Sequence, residues 1–400
     1  MIERMKKLPV PVIIAAGATA FVLLAQAFRL PSALVDAATG EHLRDFALAF
    51  PLGHLLLTPF SALADWITFN SARQDKVLVF YLLTAYWAVR LLCRKRVEQR
   101  ASGWRGRLKG AAKAAGGYLL YLAVVVGFLA WATLSQRPAA RLLAPHPDDL
   151  VLDFHSHTNR SHDGRSSFSS RRNMEWHRQA GFSAAFITDH NVITASAEAR
   201  QISREEHAAT GYRSLFGEEV SLYKAHIVAL APKEWIYNRP YDGDIDGLRR
   251  FLGDCGKRFD ALCVLSLPEY WLRHWGELDK LVDWGAKGIE IVNSAPKGLD
   301  FPAEKRRQVV ELCRRRNLFM DGATDNHGWS RAAYVWNVMR IPAQAAMGPD
   351  ELEKAVSLTL RRDGFSAVRV VTRVKHAPAE GMGIAFDPVF GLWTVIRAFT

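Results

Sequence analysis

Residues 150–157 read LVLDFHSH, an apolar, strand-like stretch that ends in two histidines one residue apart. Because alternate residues of a β-strand point to the same side, the imidazoles of His155 and His157 can converge on one ion. Neutral imidazole suits Zn, Fe and Mn. The stretch alone is weak evidence, since polar residues at a strand end produce the same pattern without a metal.

Further residues of metal-ligand type follow other strand-like segments. They are Asp163 in the turn at 161–164, His190 after the strand at 183–187, Glu219 after a short strand, His226 at the entry of the strand at 225–230, and Asp325 and His327 after the strand at 318–320. Helical patterns lie between strands, at 170–180, 246–259, 278–284 and 303–316. Strands that alternate with helices and carry polar residues at their ends predict an α/β barrel whose chemistry gathers at one face.

Taken in order, these residues resemble the PHP (polymerase and histidinol phosphatase) family over about residues 150–330. The motifs are His155-x-His157, Ser161-x-Asp163-Gly164, Thr188-Asp189-His190, Gly217-x-Glu219, His226 and Asp325-x-His327. The resemblance implies a distorted (β/α)7 TIM-like barrel, the PHP fold, with two or three divalent metal ions, Zn, Mn or Fe. It also implies the hydrolysis of phosphate esters.

The resemblance further implies a role for each ligand. His155, His157, Glu219 and Asp325 are expected to bind a first metal. Asp163, His190 and His327 are expected to bind a second, with Glu219 bridging, and His226 belongs to a third position. Glu219, Asp325 and His327 are also the expected catalytic residues.

Two positions leave alternatives open. Some family members place the Asp163 ligand one residue earlier, at His162 here, although Gly164 favours Asp163. The family also has a histidine before a proline at a later strand end, where this chain has Leu267 before Pro268. Leucine cannot ligate, so the third metal is absent, weakly held, or completed by a neighbour such as Glu269.

Four cations beside the motifs are candidates for binding substrate phosphate: Arg160, Arg165, Lys224 and Arg331. Arginine can hold phosphate oxygens bidentately, but solvated surface charge explains such residues equally simply. The expected substrate is a phosphorylated small molecule or a short nucleotide. The alternatives are a metal-dependent hydrolase of a non-phosphate bond and an inactive metal-binding sensor domain.

The positive charge of the chain lies mainly in its first third. The 400 residues contain 52 Lys+Arg and 40 Asp+Glu, a net charge of +12. Residues 1–137 contribute 17 basic and 7 acidic residues, whereas residues 138–400 contribute 35 and 33. The part with the ligand motifs is therefore nearly neutral, and no footprint for duplex nucleic acid is indicated.

Three uncharged apolar runs, at 9–28, 77–89 and 114–136, predict an α-helical transmembrane region over residues 1–136. The segment 46–69 is apolar but interrupted by Pro51, Pro59 and Asp65, so it is a fourth span, a re-entrant hairpin or an interfacial segment. Buried core helices, or a signal peptide for the first run, are the alternatives.

The basic segment 94–113 is expected to lie in the cytoplasm, because short loops rich in Lys and Arg resist translocation. We therefore expect an integral protein of a bacterial inner membrane, in contact with the lipid bilayer, with an extracytoplasmic catalytic domain. The expected divisions are a linker at 137–149, the hydrolase barrel at 150–335 and a C-terminal extension packed on the barrel at 336–400. Cys255 and Cys263 could pair in an exported domain.

Overall fold

The computed structural model describes residues 10–93, 104–135, 137, 139–329 and 332–398. The strands are β1 (Leu34–Asp36), β2 (Ala47–Ala49), β3 (Arg141–Leu143), β4 (Asp149–Asp153), β5 (Ala184–Ile187), β6 (Arg213–Leu222), β7 (Ala225–Leu230), β8 (Leu262–Leu265), β9 (Gly288–Asn293), β10 (Phe319–Ala323), β11 (Val335–Arg340) and β12 (Arg369–Arg373). The α-helices are α1 (Val10–Ala27), α2 (Leu52–Leu56), α3 (Phe60–Thr68), α4 (Ala72–Cys93), α5 (Trp104–Leu134), α6 (Ser170–Gln179), α7 (Thr194–Thr210), α8 (Ile245–Lys257), α9 (Leu267–His274), α10 (Leu278–Trp284), α11 (Ala303–Arg316), α12 (Pro349–Asp363) and α13 (Asp387–Arg397).

Ten strands form one curled sheet in the order β1-β12-β11-β4-β5-β6-β7-β8-β9-β10, while β2 pairs with β3. Strands β4, β5 and β6 are parallel, as are β8, β9 and β10. Their apolar runs are buried throughout β4, β5, β8 and β9, as expected for parallel strands covered on both faces. Strands β6 and β7 instead form an antiparallel hairpin, so the expected alternation of strand and helix is interrupted there.

The curl of the sheet brings the chain after β10 beside the chain after β4. Ser156 and Asn326 form an isolated parallel bridge, and the Asp325 amide donates to the His155 carbonyl at 2.9 Å. At Gly322 in β10 a Cβ atom would lie 2.3 Å from a Val335 methyl group, so only glycine allows this approach. The two motifs farthest apart in sequence therefore lie side by side.

Local sequence signals set several helix ends. The Ser169 side chain accepts a hydrogen bond from Arg172 N at the start of α6, and that of Asp244 accepts from Gly247 N at the start of α8. Both are preferred N-cap residues. The chain leaves α7 at Gly211, whose φ is 66°, in the left-handed conformation that ends many helices.

The sheet extends beyond the expected barrel boundaries at both ends of the chain. The boundary expected between 335 and 336 falls inside β11, which pairs with β4, and β12 pairs with β11. Strand β1, from the region expected to be transmembrane, pairs with β12. Residues 34–36 and 335–373 therefore contribute to the same sheet as the ligand motifs.

Within the described residues, α5 is the one helix long and apolar enough, by length and composition, to cross a membrane. A shorter apolar helical stretch covers Val12–Ala27. The segment 46–69 does not form one span-length helix, because it folds into the short helices α2 and α3. Asp65 on α3 is buried and pairs with Arg137 and with Arg373 of β12, which fixes this segment against the sheet.

The C-terminal helix α13 packs on helices from the first third of the chain. Trp393 lies with its ring centroid 5.2 Å from that of Phe21 on α1, and Asp387 accepts a hydrogen bond from Gln74 on α4 at 3.1 Å. Gly391 lies directly against the Trp66 ring of α3. The segment 336–400 thus contains strands of the sheet, the helix α12, whose Leu352, Val356 and Leu360 join the apolar core, and the helix α13, which contacts α1, α3 and α4.

Cys255 at the end of α8 forms a disulfide with Cys263 in β8. The pairing that the sequence left open is therefore present in the structure. Cys313 on α11 is a buried free thiol.

Candidate metal centre

The predicted ligands lie together at the edge of the sheet where the parallel strands end. The contributing positions are His155 and His157 after β4, Asp163 on the following loop, His190 after β5, Glu219 within β6, His226 within β7, and Asp325 and His327 after β10. Chemistry gathers at this edge in parallel α/β sheets because loops from several strands converge there.

Glu219 is at the middle of the cluster. Its Oε2 lies 2.9 Å from His190 Nδ1 and 3.2 Å from His155 Nε2, and its Oε1 lies 2.9 Å from His226 Nδ1. The side chain is buried, and neither oxygen receives a hydrogen bond from any residue that the structure describes. A buried carboxylate that faces several imidazole nitrogens without a well-aligned hydrogen bond is an arrangement that a cation satisfies.

A second carboxylate faces the first two histidines. The Nε2 atoms of His155 and His157 lie 2.9 Å apart. Asp325 Oδ1 lies 3.1 Å from His157 Nε2 and 3.6 Å from His155 Nε2. The three ligand atoms therefore converge on one point, as expected for a shared ion.

Asp163 forms the outer side of the cluster. Its Oδ1 lies 3.2 Å from His327 Nε2 and 3.7 Å from His190 Nε2. The neighbouring His162 side chain is 78% exposed, although its ring also approaches His190, with centroids 5.0 Å apart. Of the two alternatives, Asp163 is the one that faces both histidines.

The ring orientations are set by partners on the far side of each imidazole. His155 Nδ1 lies 2.6 Å from Glu290 Oε1, and His157 Nδ1 lies 2.9 Å from Ser161 Oγ. The Nδ1–H of His327 donates to the Asp325 carbonyl at 2.9 Å. Such contacts leave each Nε2 directed at the cluster, which is how ligating histidines are normally held.

Three further residues at the site, Glu290, Asp189 and Asn293, were not predicted from the sequence to have a role. Asp189 accepts from the Thr158 amide at 2.6 Å and so fixes the loop after β4, while the Asn293 amide donates to Asp325 Oδ2 at 3.2 Å. For Glu290 a signal existed, because it is the one charged residue in the otherwise apolar and amide-ended strand GIEIVN.

Electrostatics within the cluster favour ionised carboxylates. Burial opposes ionisation of Glu219 and Asp325, but the facing imidazoles outweigh it and hold both pKa values well below the usual range. Burial likewise opposes charge on His155, yet Glu219, Asp325 and Glu290 raise its pKa well above normal. Burial and the nearby His327 lower the pKa of His157 to about 3. The carboxylates of the cluster therefore favour their ionised form, His155 favours its protonated form, and His157 favours its neutral form.

His226 lies between Glu219 and Tyr270, with one ring nitrogen facing each. Nδ1 faces Glu219, and Nε2 lies 3.0 Å from the Tyr270 hydroxyl. Leu267 is buried beside it and offers no ligand atom. Burial together with the negative charges of Asp325 and Glu219 raises the pKa of Glu269, the other expected substitute, to about 7.

The four candidate phosphate-binding cations have different surroundings. Arg160 and Lys224 are exposed, on the loop after β4 and at the β6–β7 turn. Arg165 donates to the Leu134 carbonyl at the end of α5, at 2.9 Å, and so is engaged elsewhere. Arg331 lies outside the described residues.

No family model and no curated protein matches the chain. Several solved structures show a distant similarity, among them the following three. One is a protein from Bifidobacterium adolescentis assigned as a metal-dependent phosphoesterase, with 17% identity, a TM-score of 0.35 and coverage of 44% of this chain and 88% of that one. An amidohydrolase from Chromobacterium violaceum with bound sulfate and no metal has 16% identity, a TM-score of 0.34 and coverage of 51% and 96%. PsfC from Pseudomonas syringae has 14% identity, a TM-score of 0.36 and coverage of 62% and 98%.

The main evidence for metal binding is the geometry of the site. Groups of three ligand atoms lie within 4.8 Å of one another in the sets His155–His157–Asp325, His157–His190–His327, His162–Asp163–His190 and His190–Glu219–His226. Imidazole and carboxylate groups in this combination suit Zn, Mn or Fe. The buried oxygens of Glu219, which face imidazole nitrogens without a well-aligned hydrogen bond in the described chain, fit a bound cation.

Proposed function

We propose that this chain is a membrane-anchored, metal-dependent phosphoesterase that uses two divalent cations, Zn, Mn or Fe. Its substrate is a phosphorylated small molecule or short nucleotide. The observation that carries the proposal is the position of Glu219, whose two oxygens face imidazoles from separate strands without receiving a hydrogen bond from the described residues. A carboxylate so placed can bridge two ions.

The two cations have separate ligand sets. His155, His157 and Asp325 would hold the first, Asp163, His190 and His327 would hold the second, and Glu219 would be available to both. His226 has no histidine partner at position 267, and Tyr270 meets its outer nitrogen, so we propose two cations and not three. When bound, the cations polarise the phosphoryl group and acidify a water molecule.

The residues of the chain orient this chemistry. Glu290 fixes the ring of His155, and Asn293 holds one oxygen of Asp325 so that the other faces the histidines. Because the carboxylates are already ionised and fixed in a buried position, they need not reorient or lose a proton when a cation binds. Arg160 and Lys224, which are both exposed, are the described candidates that remain to hold a non-reacting phosphate oxygen.

The fold of the hydrolase is proposed to be the seven-stranded PHP barrel formed by β4 to β10. Support comes from the Ser156–Asn326 bridge and from Asn337, whose side chain bonds both the amide and the carbonyl of Gly322 at 2.7 Å. These contacts join the β4 side of the seven strands to β10, the last of them. Strands β11, β12 and β1 then form an antiparallel addition beside β4.

Membrane anchoring is proposed through α1, α4 and α5. The end of α1, the start of α4 and the end of α5 all adjoin the body that contains the sheet. The segments at their opposite ends, residues 1–9 and 94–103, carry three and four basic residues against one acidic residue each. The positive-inside rule then places the sheet outside the cytoplasm, and the Cys255–Cys263 disulfide suits such an oxidising compartment.

The experiment is a hydrolysis screen on the purified full-length chain, stripped of metal and supplied with Mn2+ or Zn2+. Phosphate monoesters, phosphate diesters, carboxyl esters and amides form the panel. We expect turnover of a phosphate ester that disappears with a chelator and in Asp325→Asn. Turnover confined to amides or carboxyl esters would instead favour a non-phosphate hydrolase.

A further inference from the structure

The edge of the sheet that carries the metal centre is also the edge that meets the apolar helices. The amide of Ala72, at the start of α4, donates to the carbonyl of Pro296 on the loop after β9 at 2.9 Å. Arg73 on the same helix pairs with Asp300 at 2.8 Å. The end of α5 meets the same edge through Arg165, so two long helices begin or end where the site lies.

Arg165 connects the loop at the candidate site to the end of α5. Arg165 donates from its side chain to Leu134 O, and its amide donates to the carbonyl of the candidate ligand His327, both at 2.9 Å. Asp163 is two residues away, at most about 7 Å of extended chain. The loop that carries one ligand of the second cation is therefore fixed to the last turn of α5.

The length of the apolar part of α5 indicates where this contact would lie relative to a membrane. Residues 114–134 are uncharged, and twenty-one helical residues extend over about 31 Å, close to the roughly 30 Å hydrocarbon thickness of a bilayer. If α5 crosses a membrane, Leu134 lies at its surface. The metal centre then opens at the level of the lipid head groups.

An apolar cavity of about 170 Å³ lies at the same junction, between α2, α3, α13 and the end of β12. Its lining includes Leu48, Phe50, Leu55, Trp66, Phe69 and Val395. Because β12 is antiparallel to β11, and β11 to β4, the β12 end at Arg373 lies on the same edge as His155. The cavity and the candidate site thus open at one side of the sheet.

The surroundings of the cavity indicate which occupant it takes. On the adjoining short helices, Leu52 and Leu56 are 70% and 75% exposed, and Phe60 is 60% exposed. Exposed apolar side chains next to a helix of transmembrane length are what a bilayer covers. A hydrocarbon chain from that bilayer is the occupant consistent with an apolar cavity beside such a surface.

We propose that the substrate is a phosphate ester carried on a membrane lipid, with its phosphate at the metal centre and a hydrocarbon chain in this cavity. The proposal rests on the phosphoesterase function proposed above. It narrows the substrate class from soluble phosphate esters to those presented at the membrane surface, and it explains why the strand-end edge faces the apolar helices.

The test compares two phosphate monoesters that differ only in chain length. Full-length protein is reconstituted into phosphatidylcholine vesicles with Mn2+, and phosphate release is measured from hexadecyl phosphate in the bilayer and from butyl phosphate in solution. We expect kcat/KM to be at least about tenfold higher for the long-chain ester. Equal or lower turnover of hexadecyl phosphate would overturn the lipid substrate while leaving the phosphoesterase function intact. Hydrolysis of neither ester would overturn the lipid monoester substrate, and failure of the phosphate diesters in the screen above as well would overturn the phosphoesterase function.

A cavity variant with a matched control separates the acyl site from the chemistry. Leu48→Trp places a larger ring in the cavity, and Leu143→Trp places the same ring on β3, which pairs with β2. We expect Leu48→Trp to reduce hexadecyl phosphate turnover at least fivefold with the butyl phosphate rate unchanged, and Leu143→Trp to change neither. Unchanged hexadecyl phosphate turnover in Leu48→Trp would overturn the assignment of the cavity.

Discussion

The Nδ1 atom of His155 lies 2.6 Å from Oε1 of Glu290, and both side chains are buried. Glu290 comes from the middle of β9, whereas His155 follows β4, so the contact crosses the interior of the curled sheet. This contact directs His155 Nε2 at His157 and Glu219. The orientation of a predicted ligand thus depends on a residue that is not itself a predicted ligand.

Replacing Glu290 by Gln is expected to weaken metal binding by about 10–100-fold, because the partner that orients His155 loses its charge. Metal affinity of the chelator-treated chain, measured by competition with a metal indicator, checks this. Glu304→Gln on the exposed face of α11 is the matched control and should bind normally. Unchanged affinity in Glu290→Gln would mean that His155 is held without it.

The chain is expected to bind two divalent cations and to gain a third when the missing ligand is restored. Leu267→His with Tyr270→Phe supplies an imidazole at the position beside His226 and removes the hydroxyl that meets Nε2. Metal content by mass spectrometry should be near two equivalents in the wild type and near three in the double variant. Three equivalents in the wild type would contradict the two-cation site.

Removing the disulfide is expected to cost about 2–3 kcal/mol of unfolding free energy, the value that chain entropy gives for a loop of this length. The two cysteines are eight residues apart. Denaturant midpoints of the wild type and the Cys255→Ala/Cys263→Ala variant measure the loss. The two proteins should also show equal numbers of reactive thiols after denaturation without reductant, and two more in the wild type would contradict the pairing.

Stability should fall with rising pH because of Glu218. Burial raises the pKa of Glu218 to about 8, above its ordinary value of 4.5, so the fold favours the protonated acid. Its contribution is therefore complete below about pH 4.5 and is lost as the pH rises towards 8. Glu218→Gln should match the wild type at pH 5 and exceed it at pH 9 by on the order of 2 kcal/mol. Thermal unfolding of the chelator-treated proteins provides the measurement, and parallel pH profiles would contradict it.

The sequence predicted which residues meet in this cluster because residues of metal-ligand type follow the strand ends, and their roles as ligands stay predictions. His155, His157 and Asp325 could be predicted to meet, although 168 residues separate His157 from Asp325, because parallel strands end at one edge. The partners of those ligands were not predicted. Asn293 resembles any strand-end amide in sequence, and Tyr270 acts through its position relative to His226, which only the fold defines.

The organisation of the first third was harder to predict. A run such as 46–69 has the composition of a membrane segment, yet Asp65 is buried against two arginines from distant parts of the chain. Strand β1 has three residues and pairs with β12 more than 330 residues later, which no local pattern reveals. Ion pairs and strand pairings over such separations depend on tertiary packing and not on local propensity.

Two cations held around Glu219 are proposed to hydrolyse a phosphate ester. A titration of the metal-stripped, full-length chain with Mn2+, following bound metal and phosphate release together, tests this. We predict no release from the stripped protein, a maximum rate as the second equivalent binds, and no release at any metal concentration from Glu219→Gln. Two bound equivalents without turnover of any phosphate ester, or turnover that persists in a chelator, would contradict the account.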